Sequence, residues 1–396
     1  MQQTWRWFGP DDPVTLAQAR QAGATGIVTA LHHMNQGQVW TPEAIAERKA
    51  EIEAAGLTWA VVESIGVGEE IKTRTGDYVQ KIENFKQSLR NVARAGIKTV
   101  CYNFMVITDW SRTNLAYRLP NGAFALRYDK IDFAAYDLFV LKRRNAEADY
   151  APEVIEAART RLATKSEAEI AELERVLIDW LPARDFAYTR DSFRDMLEIY
   201  SKIDVETLRA NLIAFLREVT PVAEEEGALL CIHADDPSFP IFGLPRVMSG
   251  AADVRALFEA VPETACGLTL CTGSFGSNPN NDLVAMAKEF APRIHFAHLR
   301  NTTHEPDGSF YEADHLGGDT DLIGVAATLM AEEDRRRAEG RIDAEIPFRP
   351  DHGHLMGDDV GKRSNPGYSF VGRLKGLAEL RGVMKTIEAF RSGRLA

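Results

Sequence analysis

Cysteine is scarce in this sequence: four among 396 residues, Cys101, Cys231, Cys266 and Cys271. So few in so long a chain exclude a dense disulfide framework, and three of them read as reduced core thiols. Basic charge is short as well, with 46 Lys and Arg against 58 Asp and Glu and a formal net charge of -12. That deficit argues against a nucleic-acid partner, because no basic face is left to meet phosphates. It does not exclude a small anionic substrate, which a few local arginines can hold inside an acidic protein. No apolar run reaches membrane-spanning length, which argues against a membrane partner. The stretch from Met1 to Pro10 lacks the basic-then-apolar pattern of a secretory signal, so a cytoplasmic location is expected. No Pro/Ser-rich linker or low-complexity tract marks a second domain, so residues 1–396 are expected to form one.

What the chain does have is a recurring junction. A helix-like stretch ends at glycine and an apolar run starts at once, at Gly23, Gly56, Gly96, Gly227 and Gly267. Glycine just past a helix takes the left-handed conformation that closes the last turn. Runs apolar along their whole length suit parallel strands covered on both faces. Three further runs, Thr4 to Phe8, Ile294 to Ala297 and Glu345 to Arg349, bring the total to eight. The intervening segments have helical spacing, as in Leu208, Leu212, Phe215, Leu216, Val219 and Val222, with Pro221 expected to kink that helix or reset its start. Eight strand–helix units predict an α/β fold, a (β/α)8 TIM barrel, with an open doubly wound sheet as the alternative. The fourth and fifth runs lie too far apart for one connection. The stretch from about 106 to 202 is therefore expected to be a helical insertion over the barrel mouth, with helices at Pro152–Ala163 and Ser166–Leu181.

Barrel enzymes carry their reactive groups at the C-terminal ends of the strands. The fifth to eighth runs end at His233, Cys271, His298 and Asp351. Each residue type is a competent metal ligand. Alone, each reads more simply as a core or surface residue; four on adjacent strands predict a mononuclear metal site. Seven of the nine histidines fall between His233 and His354. His32 and His33 follow the second run and could line the mouth, though they read more simply as solvated loop residues; His295 reads as facing the helices, and His304 and His315 as parts of a polar loop. His354 reads as supporting the site or simply exposed. Asp235 and Asp236 are alternative ligands to His233. The segment from Thr272 to Gly276 resembles a phosphate cradle only superficially, since no helix clearly starts there.

Several long motifs carry a resemblance. They include Thr99 to Met105, Asp109-Trp110, Asp235-Asp236-Pro237, Gly243 to Arg246, Cys271 to Ser274, His298 to Arg300, Arg349 to His354 and Asn365 to Ser369. In these stretches the chain resembles the mannonate dehydratase family along nearly its whole length. The resemblance implies a barrel related to xylose isomerase-like enzymes. It also implies dehydration of D-mannonate to 2-dehydro-3-deoxy-D-gluconate in hexuronate breakdown, with Fe2+ or Mn2+ as cofactor. It puts metal binding at His233, Cys271, His298 and Asp351, and proton transfer at His352 and Tyr368. Arg300 and Asn103 are candidates to hold substrate oxygens. Which of His352 and Tyr368 is base and which is acid stays open at this point.

The pattern departs from the family after Ile65, where Gly66, Val67 and Gly68 stand in place of Pro, Val and His. Val106 and Ala234 each replace a proline. The two glycines are expected to loosen the pocket near one end of the sugar chain. Two other functions compete: a sugar isomerase or epimerase on the same metal-dependent barrel, and a non-catalytic protein with a structural metal. The helix-rich insertion also offers contact surface for a homo-oligomer.

Overall fold

The computed structural model describes residues 1–179 and 188–395. Twelve strands lie among them. They are β1 (Gln2–Arg6), β2 (Gly26–Thr29), β3 (Thr58–Glu63), β4 (Thr99–Tyr102), β5 (Asn114–Arg118) and β6 (Phe124–Tyr128), followed by β7 (Leu229–His233), β8 (Cys266–Cys271), β9 (Ile294–His298), β10 (Thr302–His304), β11 (Phe310–Glu312) and β12 (Pro347–Arg349). Eight of them close a parallel barrel in the order β1-β12-β9-β8-β7-β4-β3-β2. Each of the eight runs read from the sequence supplies one barrel strand. Their residues are buried almost throughout, as at β2, β4, β8, β9 and β12. That burial is why these strands read as continuous apolar runs rather than alternating ones. Among the described residues, no helix is long and apolar enough to cross a membrane.

Four of the five junction glycines close a helix as expected, with φ of +93° at Gly23, +74° at Gly56, +88° at Gly96 and +59° at Gly227. The fifth has a different cause. Gly267 lies inside β8, and a Cβ there would sit 2.4 Å from the Arg293 carbonyl oxygen and 2.1 Å from the His295 ring. Glycine is needed there for close approach of the neighbouring strand, not for a turn. The helix Val205–Glu225, capped by Asp204, buries Leu208, Leu212, Phe215, Leu216, Val219 and Val222 and runs through Pro221. Pro221 and Arg217, four residues earlier, both face solvent. Water can therefore take the carbonyl that proline leaves unpaired, and the helix neither ends nor restarts.

The insertion is not purely helical. It holds the helices Pro152–Ala163, Glu167–Glu174 and Arg190–Tyr200, but also the antiparallel pair β5–β6. Trp180 and Leu181, the end of the expected second helix, lie outside the described residues. β6 pairs with β11, and β11 with β10, in a second sheet of order β10-β11-β6-β5. Both hairpins of this sheet turn on the same motif, Leu119-Pro120-Asn121-Gly122 and Glu305-Pro306-Asp307-Gly308. In each, the glycine N–H donates to the carbonyl three residues earlier, at 2.9 and 3.0 Å. Proline then an Asx residue then glycine is a turn signal in its own right. The four short strands were legible through it, but a search for barrel-length runs passes over them.

Candidate active site

Side chains two residues apart on a strand share a face, and this spacing builds the site in layers. Val28, Val61, Cys101, Cys231 and Phe296 pack together as an apolar layer inside the barrel. Two residues beyond four of them stand Glu63, Asn103, His233 and His298. Thr269, whose hydroxyl donates to Cys101 Sγ at 3.3 Å, leads likewise to Cys271. The ligand-type residues therefore stand on a dry floor that excludes water from below.

Three of them converge. One ligand atom from each of His233, Cys271 and His298 lies within 4.8 Å of the others, and all three residues belong to adjacent strands β7, β8 and β9. His233 Nε2 and His298 Nδ1 are 3.1 Å apart. His298 Nε2 is buried without a hydrogen-bond partner. Burial and the Arg349 guanidinium hold the His298 pKa well below the usual range, against the pull of Glu63 and Asp351. His298 is thus neutral with a lone pair to offer. Burial also lowers His233, but the facing Cys271 sulfur, Cys101 and Glu63 outweigh it and push His233 up to about 10. Cys271 Sγ accepts from the Ser274 backbone N–H at 3.4 Å and lies 3.0 Å from the Ser274 hydroxyl. Two imidazoles and a thiol in a dry pocket are a donor set for a borderline-soft divalent metal, so this triad is a candidate metal site.

Asp351 stands at the edge of this cluster. Its Oδ2 is 3.6 Å from Cys271 Sγ and 3.9 Å from His298 Nδ1. It is held there by Arg349 and by Arg300 at 3.2 Å. Those cations overcome burial and keep its carboxyl well below the usual range. Arg349 also reaches Glu63 Oε1 at 3.0 Å. Burial would raise Glu63, but Arg349, His298 and Arg6 bring it down to about 2. Arg300 donates to Asp236 Oδ2 at 2.6 Å, and fully buried Arg112 bridges Asp236 (2.7 Å) and Glu312 (2.9 Å).

His352 and Tyr368 meet beside the triad. Both line the same cavity as His233, Asp351, Asn103 and Arg300, with ring centroids 4.8 Å apart edge to face. His352 Nδ1 lies 2.7 and 2.8 Å from the two oxygens of Glu312. Trp110 packs against the same ring, and Phe8 against Tyr368. Burial pushes the Tyr368 phenol up to about 12, so it keeps its proton near neutral pH.

Several sequence readings change here. Asp235 binds the Met248 N–H (2.7 Å) and the Ser249 hydroxyl (3.0 Å), and Asp236 serves the two arginines, so neither displaces His233. A short helix does start at Thr272, with Cys271 as its cap. A Cβ on Gly273 would sit 1.9 Å from Arg300 Nε, so that glycine makes room for an arginine rather than a phosphate. His32, read as a solvated loop residue, is half-buried on the cavity wall. Burial and the charges of Arg6 and Arg48 hold its pKa well below the usual range. His295 faces away from the cavity as expected, its Nε2 at the Thr264 carbonyl. His304 pairs with Asp319, while His315 and His354 are buried, at the carbonyls of Pro350 and Glu312. Beside Gly66 the space is taken: a Cβ there would meet Gln36 Cγ at 2.7 Å.

Glu63, Arg349, Arg6, Arg112 and Glu312 were not singled out from the sequence. Two-residue spacing from Val61 and from Asp351 points to Glu63 and Arg349. Glu312 carries no comparable signal beyond its place in a Pro-Asp-Gly hairpin.

A family model for D-mannonate dehydratase matches residues 1–393. A mannonate dehydratase of Saccharophagus degradans is 53% identical over 392 residues, 99% of each chain. The solved mannonate dehydratase of Streptococcus suis serotype 2 superposes with a TM-score of 0.77 at 32% identity, covering 99% of this chain and 95% of that one. A xylose isomerase domain protein from Planctomyces limnophilus shares the fold alone, with a TM-score of 0.50 at 9% identity over 99% of each chain.

Proposed function

This chain belongs to the mannonate dehydratase family, and on that premise we propose which of its residues carry the reaction. The activity is that of a hydro-lyase: D-mannonate loses water to give 2-dehydro-3-deoxy-D-gluconate. The C2 proton and the C3 hydroxide leave, and the resulting enol tautomerises to the 2-keto acid. The C2 proton is a weak acid beside a carboxylate that is already negative, so one base, one acid and charge stabilisation are all required.

His233, Cys271 and His298, with Asp351 as fourth ligand, would hold Fe2+ or Mn2+. Bound there, a divalent ion supplies a Lewis acid for the substrate oxygens around C1 to C3. The soft thiolate and borderline imidazoles favour a transition metal over Mg2+ or Ca2+. His352 takes the C2 proton through Nε2, since its Nδ1 faces the Glu312 carboxylate. Tyr368, which keeps its proton, delivers one to the departing C3 hydroxyl. Arg300 and Asn103 on the cavity wall orient substrate oxygens, and the apolar floor excludes water from the reacting carbons.

The observation that carries this reading is the meeting of His352 and Tyr368 in one cavity with Asp351 and with His233 of the ligand triad. The test is incubation of the purified protein with D-mannonate under Fe2+ or Mn2+, with detection of the 2-keto-3-deoxy acid. A product lighter than substrate by one water is expected. A product of unchanged mass would instead mark an isomerase or epimerase.

A further inference from the structure

We propose that Glu312, on the second sheet, is a positioning residue for the dehydration: it holds the His352 ring so that Nε2 faces the substrate. The inference rests on the reading of His352 as the base.

Two groups compete for His352 Nδ1. Both Glu312 oxygens lie within 2.8 Å of it, and Arg300 Nη1 lies at 3.1 Å. A guanidinium only donates, and a carboxylate only accepts. If Nδ1 were a bare lone pair accepting from Arg300, it would face two carboxylate oxygens at contact distance with no proton between them. Arg300 also has Asp236 at 2.6 Å and Asp351 at 3.2 Å to satisfy it. The proton therefore sits on Nδ1 and is donated to Glu312. This fixes the tautomer and leaves Nε2 as the nitrogen with a lone pair. A carboxylate behind an imidazole sets its orientation in the same way in other acid–base sites.

Glu312 is itself held from three directions. Its backbone pairs with Thr302 of β10, and its carbonyl lies 2.8 Å from His354 Nε2. Arg112 fixes one carboxylate oxygen at 2.9 Å. A residue from outside the barrel is thus pinned so that its carboxylate arrives behind a barrel-mouth histidine. The second sheet acquires a purpose that burial alone does not give it.

The experiment compares Glu312→Gln, Glu312→Asp, His352→Asn and the double variant Glu312→Gln/His352→Asn in the metal-loaded enzyme. Its readouts are kcat, KM and metal content. A glutamine amide can donate to Nδ1 and so stabilise the opposite tautomer. Glu312→Gln is expected to lower kcat about a hundredfold or more, the worth of a general base, with KM and metal content little changed. The double variant is expected to be no slower than His352→Asn alone, because both substitutions remove one function. Glu312→Asp keeps the carboxylate one methylene short and should recover part of the loss. If Glu312→Gln fails to fold, Glu312→Asp decides: lowered kcat with full metal supports the role, and unchanged kcat overturns it. An active Glu312→Gln beside an inactive His352→Asn overturns this proposal and leaves the base assignment standing. An active His352→Asn overturns both. Loss of metal in Glu312→Gln, or independent losses that multiply in the double variant, would make Glu312 merely structural and overturn the proposal.

Discussion

Whether a histidine in this fold binds, titrates or only packs is set by its immediate neighbours. His298 and His295 are three residues apart on β9 and so face opposite sides. His298 looks into the ligand cluster; His295 is buried between strand and helices, and burial lowers its pKa to about 4. A histidine that is neutral when folded but free to charge when unfolded makes stability rise with pH. The unfolded state binds the extra proton between about pH 6.5 and pH 4, so stability falls as pH drops through that window, by at most about 1.4 kcal/mol per pH unit. Denaturant unfolding at pH 7 and pH 5 should show a larger loss in the native chain than in His295→Gln; equal losses would refute the assignment. At the ligand cluster, Cys271→Ser and His298→Ala should each lose metal and activity together while circular dichroism stays native. Full metal content in both would remove the proposed site. Tyr368→Phe should keep its metal and lose about two to four powers of ten in turnover. It should still exchange the substrate's C2 proton with solvent deuterium, because the base remains. Loss of that exchange would reverse the roles of Tyr368 and His352.

Among the elements, the barrel was readable from its strands and the second sheet only from its turns. Parallel strands buried on both faces announce themselves as apolar runs even when short. β5, β6, β10 and β11 are three to five residues long and mix polar with apolar positions, so only their Pro-Asx-Gly turns betray them. The loop after β3 shows the opposite limit. Its glycines predict a loosened pocket, yet Gln36 from the loop after β2 lies against Gly66, and Glu70, ion-paired to Lys81 at 2.6 Å, has a carboxylate oxygen 2.9 Å from where a Cβ on Gly68 would sit. The family-restoring changes Gly66→Pro and Gly68→His would have to displace both side chains. The sharper variant is Gln36→Ala. It should reduce kcat/KM for D-mannonate about three- to tenfold, the worth of one polar contact, and narrow the margin over D-gluconate and D-altronate. An unchanged margin would mean that this wall does not read the substrate.

At the scale of the molecule, the candidate metal site sits on a core that does not depend on a metal. The apolar cluster continues from Trp5 through the barrel strands to Met384, unlike a small domain that folds only around its metal. Chelation should therefore abolish turnover and lower Tm, because the ion binds only the folded state, while the far-ultraviolet circular dichroism stays native. Added Mn2+ or Fe2+ should restore both turnover and Tm. Collapse of the fold on chelation would refute a core independent of the metal.

Local order along the chain was enough for the barrel: continuous apolar runs, helix-closing glycines, and ligand-type residues where strands end. The same order brought His233, Cys271 and His298 together, because neighbouring strands in register present their ends side by side. Tertiary structure alone decided what surrounds them. Arg112 meets Asp236 across 124 residues and Glu312 across 200, and Glu312 meets His352 across 40. No local periodicity encodes such separations. They follow from two hairpins, β5–β6 of the insertion and β10–β11 of the connection after β9, pairing as one sheet beside the site, where burying a carboxylate requires a cation or a histidine to meet it.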